Sequence, residues 1–159
     1  QGRIKELSGD KEVVLVFDSE DMHSKVLIGI YNASIKYYSG KHKEATAKFN
    51  EVLNENSFKD YFHINADIKL SLAYMYIQLK EYDLADNLMK SLYRKIKAEQ
   101  ISSYVNVLDF IKVLDTDVKL GDDKVSQKQK DNMTLFLARN NNDNELLKHL
   151  QFELKKKYC

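Results

Sequence analysis

The chain has 159 residues, of which 43% are hydrophobic and 31% are charged. This balance excludes a disordered tail and predicts one folded domain with a buried core. Basic and acidic side chains nearly cancel at a net charge of +1, which argues against a nucleic-acid partner, because such proteins carry a basic surface. No apolar run approaches the ~20 residues that span a membrane, so membrane insertion is not expected.

The first two residues, Gln1 and Gly2, stand where an initiator methionine would be expected. This start is typical of a cleaved purification tag, so residues 3–159 are expected to form a single domain taken from a longer parent protein. Cytoplasmic localisation is the default expectation, and targeting signals would belong to the parent. The one cysteine, Cys159, excludes an internal disulfide bond.

Helix is the favoured element, because proline is absent and only five glycines interrupt the chain. Residues 3–18 contain a β-branched run that fits either a short strand or a buried helical turn, and helix is favoured. Asp18 is an N-cap candidate for a first helix over about residues 20–39. Gly40 then suits the left-handed turn that ends a helix.

Two further helices are predicted in the middle of the chain. The second ends near Glu55 and carries one apolar face, formed by Ala45, Phe49, Val52 and Leu53. Ser57 and Asp60 have the spacing of a capping box that opens a third helix. Because residues 64–79 are apolar nearly all round, the third helix is expected to be covered on several sides.

The second half of the chain continues with helical periodicity. A fourth helix is predicted over residues 81–97, and a fifth over residues 101–120, closed by Gly121. A sixth follows over residues 124–140, with a solvated first half. A run rich in asparagine then precedes a last helix with Asn142 as its N-cap. The total is about six to seven helices.

Two segments share a pattern of small and aromatic residues around a short turn. The residues are Tyr37, Tyr38, Gly40, Glu44, Ala45 and Phe49 in the first segment, and Leu72, Ala73, Tyr76, Tyr82, Ala85 and Met89 in the second. This pattern resembles tetratricopeptide repeats, which place small residues where two antiparallel helices cross and aromatic residues beside the crossing. The resemblance covers residues 27–93. It implies antiparallel helical hairpins stacked as a short right-handed superhelix, with residues 98–158 as degenerate capping helices.

The repeat length departs from that of the family. Ala45 and Ala85 are 40 residues apart, whereas the regular repeat has 34 residues. The excess lies around residues 54–65, where one or both helices are expected to be longer.

In tetratricopeptide repeats, the first helix of each pair lines a concave surface. The resemblance therefore implies a partner groove with seven candidate lining residues: Ser34, Tyr38, Asp67, Leu70, Tyr74, Ile77 and Gln78. About half of them are expected to be buried in the core instead. The expected occupant is an extended or helical segment of a protein or peptide partner.

Catalytic and metal-binding patterns are weak. His63 with Asp60 and Asp67 has a spacing that would suit a metal ion on one helix face, but a solvated polar face is the simpler interpretation. The five glycines never fall within one phosphate-binding motif. We therefore expect no catalytic residues, no metal and no cofactor.

The function predicted from these features is a non-enzymatic interaction scaffold that binds a partner segment. One alternative is a sensory or regulatory domain that binds a small peptide or metabolite and controls an effector elsewhere in the parent protein. A second alternative is a dimerisation element that covers its apolar surface with another copy of itself.

Overall fold

A computed structural model describes residues 22–100, 102–121, 125–140 and 145–159. Within these ranges the regular structure is entirely helical, with seven α-helices, two short 3-10 helices and no strand, which confirms the predicted all-α class. The chain divides into two compact units, one ending at Ser57 and one starting at Phe58, where one domain was predicted from the sequence. None of the described helices is long and apolar enough to span a membrane. The segment 3–18 lies outside the described residues.

The first unit contains a helical hairpin of α1 (Met22–Tyr38) and α2 (His42–Glu55). The two helices pack closely at Gly29, where an added Cβ atom would lie 2.2 Å from Val52 Cγ2. Glycine therefore permits the close approach of the two backbones. The largest apolar side chains buried in this hairpin are Val26, Tyr37, Phe49 and Val52.

The second unit begins with a similar hairpin, formed by α3 (Phe62–Gln78) and α4 (Tyr82–Ala98). Each helix of this pair starts 40 residues after its counterpart in the first hairpin. Ala45 and Ala85 occupy corresponding positions in the two pairs and both are fully buried. The 40-residue spacing noted in the sequence is therefore a repeat of whole helical hairpins.

The turns of the two hairpins are built in the same way. Gly40 (φ 76°) and Lys80 (φ 61°) are both in the left-handed conformation. The next residue in each turn, Lys41 or Glu81, donates its N–H to the carbonyl five residues earlier, at 2.9 and 2.8 Å. This bond is typical of a helix end that reverses the chain. In the second turn it helps to hold Lys80 in the left-handed conformation, which glycine adopts more easily.

The connection between the hairpins differs from the prediction. Residues 56–61 are not helical, so α2 and α3 do not extend through this connection as predicted. The predicted capping box of Ser57 and Asp60 is wrong, since α3 begins at Phe62 and its N-cap residue, Tyr61, makes no side-chain capping bond. A favourable capping pattern does not form here, because the chain continues as a loop past both residues.

A third helical pair, α5 (Val105–Leu120) and α6 (Gln127–Arg139), follows in the second unit. A 3-10 helix over Ser102–Tyr104 precedes α5, and α5 packs against α3 and α4 as well as α6. Ser126 and Gln129 form a reciprocal capping box at the start of α6. Both helices thus begin a few residues later than predicted.

The chain ends with a 3-10 helix, Lys148–Leu150, followed by α7 (Gln151–Tyr158). Residues 145–147 are not helical, so the last helix begins later than predicted from Asn142, and Asn142 itself lies outside the described residues. We call residues 145–159 the C-terminal segment. Its apolar side chains are fully buried at five positions: Leu146, Leu147, Leu150, Leu154 and Tyr158.

Candidate protein-interaction surface

The seven residues predicted to line a groove fall into two groups. Ser34 and Tyr38 are on α1 in the first unit, and the other five are on α3 in the second unit. Three of those five have buried side chains and belong to the core: Leu70, Tyr74 and Ile77. Their assignment to an open groove is corrected, because α3 packs against α4 and α5 and also contacts the C-terminal segment.

The other two predicted groove residues of α3 are half-buried. Asp67 Oδ1 accepts a hydrogen bond of 2.6 Å from the backbone N–H of Leu147, a leucine held in the left-handed conformation with φ 56°. Nε2 of Gln78 is buried and has no hydrogen-bond partner within the described part of the chain. The polar edge of α3 thus contacts the chain's own C-terminal segment.

Ser71 and His149 form a second contact between α3 and the C-terminal segment. The Ser71 hydroxyl donates to the backbone carbonyl of Asp67 at 2.7 Å, and its oxygen lies 3.1 Å from His149 Nε2. Because a hydroxyl has one proton, Nε2 is the donor in this second bond. A nucleophilic serine would instead direct its proton to the histidine, so this Ser, His and Asp group has the geometry of a structural contact.

The imidazole of His149 is held in a largely buried position. Burial lowers its pKa below the usual value, while the negative charge of Asp67 opposes the shift. The folded protein therefore favours neutral His149 more strongly than the unfolded chain does.

Stability is expected to fall when the pH drops below about 6.5, the usual pKa of histidine, towards the lower pKa of folded His149. In that interval the unfolded chain binds a proton that the folded protein resists, so the free energy of unfolding decreases as the pH falls. One such group contributes a slope of at most about 1.4 kcal/mol per pH unit. Urea denaturation at several pH values would measure this slope.

The His149→Asn variant isolates the contribution of this imidazole. Its stability should depend less on pH in the same interval, whereas His23→Asn, at an exposed position on α1, should retain the slope of the unmodified protein. Equal slopes for His149→Asn and the unmodified protein would contradict the assignment.

Asp117 on α5 is a buried carboxylate that joins three elements of the second unit. It accepts hydrogen bonds from Gln129 Nε2 on α6 at 2.5 Å and from the Tyr158 hydroxyl on α7. Lys157 Nζ lies 3.4 Å from the same carboxylate. A buried carboxylate is stabilised when it is paired and hydrogen-bonded in this way.

Two further polar side chains that are buried, Asp109 and Asn140, make contacts that fix the end of α6. Asp109 Oδ2 accepts a bond of 2.7 Å from Arg139 Nη1. Asn140 Oδ1 accepts bonds from Asn106 Nδ2 at 3.0 Å and from the backbone N–H of Leu146 at 2.7 Å. These contacts connect α5 and α6 to the start of the C-terminal segment, and no local sequence pattern predicts them.

The metal-binding alternative has no geometric support on α3. Asp60 precedes the first residue of the helix, so it does not share a helical face with His63 and Asp67. Across the described ranges, no group of three histidine, cysteine, aspartate or glutamate side chains is placed to hold a metal ion.

The main exposed apolar feature of the first unit is a row of side chains along α1, which we call the α1 stripe. Its four residues are exposed by 65, 48, 39 and 50%: Leu27, Tyr31, Ile35 and Tyr38. They are spaced by four, four and three residues, so they form one continuous row on a helix. Val26, Ala33 and Tyr37, which are buried, lie on the opposite side of α1.

Ser34 lies beside the α1 stripe but is not part of an open surface. It is buried, and its hydroxyl donates to the backbone carbonyl of Ile30 at 2.8 Å. Of the seven residues predicted for the groove, Tyr38 is therefore the one with a strongly exposed side chain. The sequence contains the signal for the stripe, but α1 has apolar residues on two faces and its periodicity does not show which face is buried.

The first unit also contains an open cleft of about 460 Å³ between α1 and α2. Ile28 and Val52 contribute apolar surface, while Lys25 and Glu55 contribute charges of opposite sign. Asn32 lines the same cleft, and its buried Oδ1 has no hydrogen-bond partner among the described residues. The cleft therefore combines apolar and polar surface within one hairpin.

Comparison with known protein families, with curated proteins and with solved structures finds no match to this chain.

Proposed function

We propose that this chain is a non-enzymatic interaction domain of the tetratricopeptide-like class, and that it binds a helical segment of another protein along the α1 stripe. The supporting observation is the continuous row of Leu27, Tyr31, Ile35 and Tyr38 on the exposed side of α1. A contiguous exposed apolar surface of this kind is typical of protein contact sites.

The spacing of the α1 stripe supports a helix as the partner. Side chains separated by three and four residues form the ridges that fit between the side chains of a second helix. Tyr31 and Tyr38 add large rings that lose little conformational entropy when they are buried, and their hydroxyl groups can bond at the edge of a contact. The apolar face of an amphipathic helix is therefore the expected occupant.

Photo-crosslinking tests this proposal with a matched control. A photoreactive phenylalanine analogue at position 31 should form a discrete adduct with a partner protein in extracts of the source cells. The same analogue at position 93 should not, although Tyr93 on α4 is a tyrosine exposed to the same extent as Tyr31, 48%. The double variant Leu27→Ser and Ile35→Ser should abolish the adduct at position 31.

The identity of the adduct distinguishes the alternatives. An adduct between two copies of the chain would contradict a separate partner and support the dimerisation alternative. Identical adducts from positions 31 and 93, or none from position 31, would contradict the α1 stripe as a contact site.

The regulatory alternative has one specific observation in its support, the cleft between α1 and α2. A small peptide with both a cationic and an anionic group would find apolar surface beside the carboxylate of Glu55, the ammonium of Lys25 and the amide of Asn32. In a calorimetric titration with short peptides that carry both charges, Asn32→Leu should weaken binding at the cleft, while the Leu27→Ser and Ile35→Ser variant should not. Failure of any such peptide to bind would remove this alternative.

A further inference from the structure

One lysine on the second hairpin is placed in an unusual environment. Lys69 on α3 is half-buried, and its ammonium donates to Ser91 Oγ on α4 at 3.0 Å. None of the ion pairs among the described residues includes Lys69. Burial, and secondly the positive charge of Lys95, lower the pKa of Lys69. A half-buried cation is thus held against a neutral hydroxyl and close to another cation.

The second cation lies on the same seam of the hairpin. Lys95 follows Ser91 by four residues on α4, so the two side chains are neighbours on one face. Lys95 Nζ lies 5.5 Å from the centre of the Phe62 ring and 3.9 Å from Glu99 Oε1. Both contacts are weak when the groups are accessible to solvent, so they do not hold the Lys95 ammonium tightly. A bound anion would offset the repulsion between Lys95 and Lys69.

The hydroxyl of Ser91 completes the arrangement. Because its oxygen accepts a hydrogen bond from Lys69, its own O–H is directed away from that lysine and is able to donate to a ligand. One anion at the seam between α3 and α4 could then be reached by two ammonium groups and one hydroxyl donor. Such a set complements an anion with several oxygens and more than one negative charge.

We infer that Lys69, Ser91 and Lys95 form a binding site for a phosphate group. Lys69 forms no ion pair with a described carboxylate, and a phosphate dianion would provide a negatively charged partner. A ligand with a single carboxylate carries one negative charge and would neutralise only one of the two lysines. The site is on the second unit and does not depend on the α1 stripe, so it goes beyond the proposed interaction function. The phosphate would come either as the free ion or on a phosphorylated side chain of a peptide.

An NMR titration of the full chain with sodium phosphate tests this inference, with sodium chloride at the same ionic strength as the reference. Backbone amide signals around Ser91 and Lys69 should shift and saturate with phosphate, but not with chloride. Lys69→Met should weaken phosphate binding at least about tenfold. The control variant is Lys97→Gln. Lys97 is also a lysine on α4, but its Nζ lies 5.6 Å from the centre of the Tyr93 ring, away from the proposed site. This variant should leave phosphate binding within about twofold.

Two additional measurements test whether Lys69→Met still folds and whether the Lys69 ammonium responds to the bound phosphate. Lys69→Met should melt at the same temperature as the unmodified chain or higher, because methionine keeps the length of the side chain and removes a half-buried charge. Phosphate should also raise the pKa of the Lys69 ammonium, which a purely structural role of this lysine would not cause.

A phosphoserine pentapeptide and its unphosphorylated form identify the source of the phosphate. Tighter binding of the phosphopeptide than of free phosphate would assign the site to a phosphorylated segment, and equal binding would assign it to the free ion. Equal responses to phosphate and chloride, or equal losses in Lys69→Met and Lys97→Gln, would overturn the inference.

Discussion

The Asp117→Ala variant is expected to lose about 3–5 kcal/mol of its free energy of unfolding. The carboxylate of Asp117 is buried on α5 and is the common acceptor for Gln129, Lys157 and Tyr158. Its removal takes away the acceptor of all three donors at once and leaves the buried side-chain donors of Gln129 and Tyr158 without their acceptor. The loss is therefore expected to exceed that of an ordinary surface substitution by several fold.

Asp115→Ala is the matched control for this prediction. Asp115 is two residues away on the same helix and also pairs with a lysine, Lys119, at 2.6 Å, but its side chain is accessible to solvent. An exposed pair of this kind contributes about 0–1 kcal/mol. Urea denaturation followed by circular dichroism measures both variants. Equal losses in Asp115→Ala and Asp117→Ala would show that the buried contacts of Asp117 do not stabilise the fold.

The Leu154→Ala variant is expected to lose about 2–5 kcal/mol of stability. Leu154 is on α7 and is fully buried, so the substitution removes apolar surface from the core and leaves a cavity that the neighbouring helices fill only in part. The expected loss is of the same size as that of Asp117→Ala, although no charge or hydrogen bond is removed.

Phe152→Ala provides the control for Leu154→Ala on the same helix. Phenylalanine is the larger side chain, but Phe152 is 72% exposed, so its removal should change stability by no more than about 0.5 kcal/mol. Thermal and urea denaturation of the two variants compare burial directly with side-chain size. A greater loss in Phe152→Ala would mean that α7 packs through its other face.

The local elements of this fold could largely be predicted from the sequence. Gly40 lies two residues after the end of α1, Gly121 directly follows α5, and both have positive φ, which glycine adopts at low cost. The turn at Lys80 has the same geometry without a glycine, so its equivalence to the turn at Gly40 is seen in the backbone of the structure and not in the sequence. The predicted capping box at Ser57 failed, while the capping box at Ser126 was missed.

The candidate site was predicted less well than the helices. The apolar character of α3 correctly indicated that it is covered on several sides, yet Leu70, Tyr74 and Ile77 were assigned to a groove because of the family resemblance. Burial of these three residues follows from the same all-round apolarity. The exposed row on α1 was not identified, since Tyr38 alone of its members was among the predicted groove residues.

The sequence by itself determined the all-helical class, the approximate helices and the turns at the glycines, because periodicity and backbone preferences act over a few residues. The tertiary structure decided which apolar faces are covered and where the C-terminal segment lies. Leu147 bonds to Asp67, and Tyr158 bonds to Asp117, across separations of 80 and 41 residues. Contacts between residues so far apart leave no local pattern, since they depend on how whole helices pack.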